Sequence, residues 1–472
     1  MSDLIVTFSF LTLLILFAGL FFYSLNKVIF KGNLSALLVF FIFFLSCYLT
    51  LQILSYQVTQ DLLLGQFFKA AKDAMILLGL FAWVIYRKNI WNISFYWTKA
   101  DKIGFAFITL VIIFWILPIG PASAVNKLIY FKNTALVVIM YFLGRNMVLE
   151  RRHIYLICHS ILVVVVLAFL VGSIEQLTNT HIQTLIGYEA HLVAEGGEPT
   201  GEYGLTWTFQ AASGAKRFAA FFAAPLELGV FANLAFATSF ILFKQKKEYR
   251  TLYLLTAIAS VACLLYSHSR APLAGFFLML LFLSYVFGYF KYLVYAFLAA
   301  LFFVISLYLF GSKDLWYFFI DTLTLSDSSS AGHVLEWLIG LESIVTHPEG
   351  IGLAMSGDAG GVIDDIHVGG ENQFIIYGVQ LGIIGLFLYI MLVYYSIKYP
   401  LLAFRKNKGK DSAIIPFIAT TFKVSFLVSL MVANAENYVF VTLFSWWAVG
   451  YSIQFVKSET FTKKMHINYG GA

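Results

Sequence analysis

Two arginines stand where apolar runs meet polar chain. Arg217 opens the segment Arg217-Phe-Ala-Ala-Phe-Phe-Ala-Ala-Pro225-Leu-Glu227-Leu-Gly229, and Arg270 follows Ser267-His268-Ser269. A guanidinium keeps its charge and forks onto two phosphate oxygens at once. Two of them at one membrane face suit a diphosphate, although a lone arginine at a helix mouth is also an ordinary interfacial anchor. Glu227 falls about ten residues into a helix expected over 218–243. An ionised carboxylate there is costly unless it is paired, protonated or facing water. Lys423 sits near the centre of a helix expected over 413–433, where a charge costs at least about 2.5–3.5 kcal/mol. Glu227 and Glu436 are its candidate internal partners.

A second group of chemical residues lies further on. Asp358, Asp364, Asp365, His367, Glu371 and Asn372 crowd a glycine-rich stretch that ends where another apolar run begins. Glu371 is the first candidate for a general base, with His367 and Asp365 behind it, since an Asp, Glu or His readily takes a hydroxyl proton. The aspartates lack EF-hand spacing, and no metal site is expected. Upstream, Val334, Trp337, Leu338, Leu341, Ile344 and Val345 recur at helical spacing. That helix is expected to lie on the membrane surface, capped by Ser329 or Ser330 and closed by Pro348. His347-Pro348-Glu349-Gly350-Ile351-Gly352 then reads as a turn whose glycines admit close backbone approach. No Walker-type glycine loop is present, so no nucleotide cofactor is expected.

The elements that must position these residues are transmembrane. Of 472 residues, 60% are hydrophobic and 12% charged, about half the charge of a soluble protein. The apolar residues come in runs of about 20, the length that crosses a hydrocarbon core of about 30 Å. Such runs must be helical, because lipid offers the backbone no hydrogen bonds, and the alternating ten-residue segments of a barrel are absent. The 49 Phe suit lipid-facing surface, and the 27 Tyr and nine Trp suit the interface belts. Twelve or thirteen spans are expected in one all-α polytopic transmembrane domain covering 1–472. The weakest is 67–86, interrupted by Lys69, Lys72 and Asp73. The first run lacks a basic n-region and a small-residue cleavage site, and reads as a retained helix. Cys47, Cys158 and Cys263 each fall inside an apolar run, which argues against a disulfide framework. The +6 net charge reports orientation, not nucleic acid. With 244–250 on the cytoplasmic side, most Lys and Arg follow it there. Two long loops, 175–216 and 311–372, are left outside, together with Arg217 and Arg270. No inverted repeat of broken helices is legible, which weakens a transporter reading.

In this order and spacing the segments resemble the O-antigen ligase and polymerase superfamily of bacterial surface-polysaccharide assembly. The resemblance rests on Arg217 through Gly229, on Ser267-His268-Ser269-Arg270, and on Trp337 … His347-Pro348-Glu349-Gly350-Ile351-Gly352 … Glu371-Asn372 … Gly378 … Leu381-Gly382-Ile383-Ile384-Gly385. It covers roughly 205–400. It implies a membrane-embedded, GT-C-like, inverting and metal-independent glycosyltransferase of the cytoplasmic membrane, working at its outer face. The donor would be a polyprenyl (undecaprenyl) diphosphate-linked oligosaccharide, with Arg217 and Arg270 on the diphosphate. His268, His333, Trp337, His347, Asn372, Glu227 and Lys423 would support the site. Membrane lipids and a chain-length regulator protein are the partners it implies. Two departures matter. His333 stands in a region where the family often has an arginine, and Glu371 stands where ligases typically carry a histidine before the asparagine. The second favours a polymerase over a ligase, with a non-enzymatic flippase or transporter as the third class.

Overall fold

Backbone groups in an apolar run need partners inside the protein, and in the computed structural model, which describes residues 3–86, 96–211, 214–310, 328–357 and 368–456, helices supply most of them. In chain order the helices are α1 (Asp3–Lys31), α2 (Ser35–Ser46), α3 (Tyr48–Thr59), α4 (Leu63–Tyr86), α5 (Lys99–Ile116), α6 (Ala124–Asn146), α7 (Arg151–Thr178), α8 (Ile182–Leu185), α9 (Tyr188–Ala194), α10 (Pro225–Gln245), α11 (Arg250–Tyr266), α12 (Arg270–Phe287), α13 (Phe290–Phe310), α14 (Ser328–Thr346), α15 (Gln373–Lys406), α16 (Ile414–Val432) and α17 (Val439–Ile453). Among the described residues there is no β-strand, only an isolated bridge between Gln210 and Lys216.

Every expected apolar run carries a helix, although residues 218–224 lie outside one. Among the described residues eight helices are long and apolar enough to cross a membrane, or nine when α2 and α3, bent by 59° at Cys47, count as one. α4 is an unbroken helix of 24 residues that carries Lys69, Lys72 and Asp73 in its first half. Lys72 and Lys132 of α6 both pair with Asp73 (2.5 and 3.0 Å), which holds α4 against α6 despite the charge. α11 is helical over only 17 residues.

The centre of the bundle is α10, α16 and α17, whose spans are about four-fifths buried, whereas α1 is 11% buried along its apolar stretch and lies at the edge on α2, α3 and α4. Two helices are broken in addition to their ends. One break is the α2–α3 bend. The other is Gly382 inside α15 (φ 72°, ψ −172°), and the segment 348–352 fills it. Ile383 N–H donates to Pro348 O (2.9 Å), Ile351 N–H to Val379 O (2.9 Å) and Gly352 N–H to Gln380 O (3.1 Å). The polar groups freed by the break are thereby satisfied inside the protein.

Candidate functional site

The arginines are brought together by a short backbone pairing. Residues 209–211 pair with 215–217, Ala211 N–H donating to Ala215 O (2.8 Å) and Arg217 N–H to Phe209 O (2.9 Å). Phe218 N–H then donates to the carbonyl of Tyr266 (3.0 Å), the last residue of α11. This delivers Arg217 to the α11–α12 turn, where His268 takes a left-handed conformation (φ 43°) just before Arg270. Burial, and then the Arg270 charge, pull the Arg217 guanidinium below its usual value. Burial, and then the Arg217 charge, do the same to His268. The three basic groups thus share one neighbourhood. Arg217 Nε is buried and has no hydrogen-bond partner among the described residues, an arrangement that favours an anionic ligand.

The backbone between Arg217 and α10 is not helical, contrary to the expectation of a helix from 218. Pro225 explains it: the residue before a proline is driven out of the α region, and proline suits the first helical position. Ala224 is extended (φ −150°, ψ 154°) and Pro225 opens α10. Glu227 therefore lies in the first turn of α10 rather than about ten residues deep, where the positive end of the helix dipole favours its charge. The irregular stretch is pinned by polar side chains that sequence reasoning did not single out. Glu175, at the end of α7, accepts from Ala220 N–H (2.8 Å) and Ile182 N–H (2.9 Å). Gln183 donates to Ala220 O (2.7 Å), and Thr50 of α3 donates to Phe221 O (3.0 Å). Ala220 itself is held at φ 50°, a conformation non-glycine residues seldom adopt. A buried glutamate closing an apolar helix was the available signal, but its partner Ala220 lies 45 residues away.

Glu371 sits on the second platform. His333 Nδ1 of α14 pairs with the Glu371 carboxylate. The Trp337 indole donates to Glu371 O (3.4 Å), and Glu336 accepts from Gly370 N–H (2.9 Å). Asn372 caps α15 by accepting from Phe374 N–H (3.0 Å) and Ile375 N–H (3.3 Å). Burial, then the charges of Glu227 and Glu371, push the Tyr438 phenol up. Tyr438 therefore lies within electrostatic reach of both carboxylates. Gly229 joins the other side, since a Cβ there would meet Ser267 Oγ at 2.8 Å and Pro272 at 3.0 Å. His347 is exposed and bonds its neighbour Thr346 (3.0 Å); the structure does not bring it to Glu371. Asp365 and His367 lie outside the described residues.

Lys423 is fully buried in α16, yet neither expected carboxylate reaches it within ion-pair distance. Its ammonium lies 4.1 Å from the centre of the Trp446 ring. The indole N–H in turn donates to both Glu436 oxygens (3.2 Å), which also accept from Tyr389 (2.9 Å). The partner is thus an indole face polarised by Glu436, a desolvated cation–π contact worth about 2 kcal/mol. Glu436 and Gln373 border a cavity of about 310 Å³ between α5, α6, α15 and α17, with Phe107, Tyr377, Tyr389 and Trp446 among its walls. Arg217, Arg270 and Glu371 do not line that cavity.

The helices and their apolar lengths define a polytopic all-α membrane protein. No protein-family model matches the chain, and none of the curated proteins matches it.

Proposed function

We propose that the chain is a surface-polysaccharide polymerase that joins repeat units carried on polyprenyl diphosphate, at the outer face of a bacterial cytoplasmic membrane. The observation that carries this reading is the convergence of Arg217, His268 and Arg270 at one helix mouth, with a buried guanidinium Nε that has no hydrogen-bond partner among the described residues. In the reaction, an acceptor sugar hydroxyl attacks the anomeric carbon of the donor. The bond from that carbon to the diphosphate oxygen breaks with inversion, and the hydroxyl proton passes to the base. The lipid diphosphate departs, and the two guanidinium groups stabilise the charge that develops on its oxygen. The His333–Glu371 pair supports the base assignment: in it one group accepts the proton and the other orients and stabilises it. The cavity beside Gln373 supplies apolar volume within the bundle for part of a hydrocarbon chain.

A transport reading draws on the α2–α3 bend and the buried Lys423. Purified protein incubated with a polyprenyl diphosphate-linked oligosaccharide separates the classes. A ladder of products is expected for the polymerase, whereas a single addition to another acceptor indicates a ligase. No turnover together with measured movement of the lipid-linked glycan would overturn both enzyme readings. Arg270→Ala should lower turnover by about 10²-fold or more while the protein still inserts; normal ladders from that variant would refute the diphosphate assignment.

A further inference from the structure

α7 connects the arginine mouth to the far end of the bundle. Its last turn holds Glu175, which pins the segment behind Arg217, and its first residue is Arg151, 28 residues and about 42 Å away along the axis. Around that far end lies a second cavity, of about 640 Å³, remote from everything the proposed reaction uses. Its walls are the last turn of α1, the start of α2, the end of α4 and the α6–α7 turn. Lys27, Lys31 and Arg152 line it together with one carboxylate, Glu150, which Arg152 already engages (2.8 Å). The side chains set the sign, three cations against one anion. Among the described residues of the wall, His153, against Asn33 (3.4 Å), and Tyr86 are the other titratable groups.

The pocket is also built for an amphiphile. Trp83 and Tyr86 line it, the residue types that settle at the level of lipid headgroups. Tyr86 is fixed by donating to Ile29 O (2.6 Å), and its ring packs against Gly32, where a Cβ would approach within 2.8 Å. Just above, α1 turns Phe22, Ile29 and Phe30 outward, Phe22 and Phe30 by about two-thirds of their surface or more. A headgroup in the pocket would leave its acyl chains against that apolar face.

We infer that this cavity binds the phosphate headgroup of an acidic glycerophospholipid, with Lys27, Lys31 and Arg152 as its ligands, and that the lipid fastens the peripheral helix α1 to α4 and α7. A basic pocket between helix ends is the known physical basis for such recognition. The inference does not depend on the proposed reaction.

The test is thermal unfolding of the full chain in a neutral detergent, with phosphatidylglycerol, phosphatidylcholine or sodium phosphate added at equal phosphate concentration. Phosphatidylglycerol is expected to raise Tm by about 5 °C, and the other two by much less. Lys27→Gln/Lys31→Gln should abolish the shift, and Lys27→Arg/Lys31→Arg, which keeps both charges, should retain it. If the Gln variant fails to fold, the Arg variant and retention of phosphatidylglycerol through purification, read by native mass spectrometry, decide the matter. Equal stabilisation by phosphatidylcholine, or an undiminished shift in the Gln variant, overturns the site. A full shift with sodium phosphate alone overturns the lipid as its occupant.

Discussion

The His333–Glu371 pair places an imidazole and a carboxylate in direct contact at the proposed acceptor side, and neither was paired with the other by sequence spacing, since 38 positions separate them. If this pair takes the acceptor proton, Glu371→Gln should reduce turnover by about 10²-fold or more while donor binding is kept. Arg270→Ala should by contrast weaken donor binding as well, so equilibrium binding of the lipid-linked donor separates the two roles. Equal loss of binding in both variants would remove the distinction. Another buried imidazole carries a different expectation. His181 is 1% exposed and packs edge-on against Phe209 and tilted against Phe218, at ring distances of 5.8 and 5.2 Å. Burial, then the Lys216 charge, push it down to about 4 from 6.5. Above pH 6.5 folded and unfolded chains both hold it neutral. Between 6.5 and about 4 only the unfolded chain takes up the proton, so stability falls as the pH drops through that window. At pH 5 the loss is roughly 2 kcal/mol. His181→Phe should therefore flatten the fall in Tm between pH 7 and pH 5; parallel curves for the two proteins would show that His181 does not titrate as its burial demands.

The turn at 348–352 docks into the break in α15, and three glycines make that possible. A Cβ at Gly382 would stand 2.4 Å from Pro348 O, one at Gly350 would stand 2.4 Å from Gly382 N, and one at Gly352 would stand 2.4 Å from Ile119 O. Gly382 also has a φ and ψ that only glycine adopts readily. Gly382→Ala is expected to cost about 2–4 kcal/mol, and to loosen Glu371, which lies one short helical piece away. Limited proteolysis at the outer loop and thermal unfolding would read this, and an unchanged Tm would mean that the break is not held by these contacts. The glycines were legible in the sequence as a place of close backbone approach. What they approach was not, because nothing local in His347–Gly352 names a helix that begins 21 residues later. The same limit explains α10. Pro225 carried the signal for its true start, but the apolar residues 218–224 matched a span by hydropathy alone, and only Glu175, Gln183 and Thr50 show that their backbone is bonded elsewhere. Lys423 was legible as an anomaly. Its partner was sought among carboxylates, whereas the structure uses an indole between the cation and Glu436.

Taken whole, the molecule separates its polar work onto two ends of one bundle. The pairing of 209–211 with 215–217, the α11–α12 turn and the Glu371 platform share the end of α7 that carries Glu175. The other end carries Arg151, which pairs with Asp411 (3.0 Å) just after the Arg405–Lys410 run, and the phospholipid pocket. The charge bias of the sequence leads us to expect the second end in the cytoplasm, and the proposed reaction requires the first end to face outward. Both demands can be met by one orientation, and labelling measures it directly. Cys158 and Cys263 are buried and Cys47 is half-buried, so the native thiols give little background. Glu198, in the loop between α9 and α10, and Lys408, beside Asp411, are both exposed. In intact cells Glu198→Cys should react with a membrane-impermeant maleimide, and Lys408→Cys should react only once the membrane is opened. The reverse pattern would put the arginine mouth on the cytoplasmic side. Extracytoplasmic polymerisation would then be excluded, even though every contact within the bundle stayed the same.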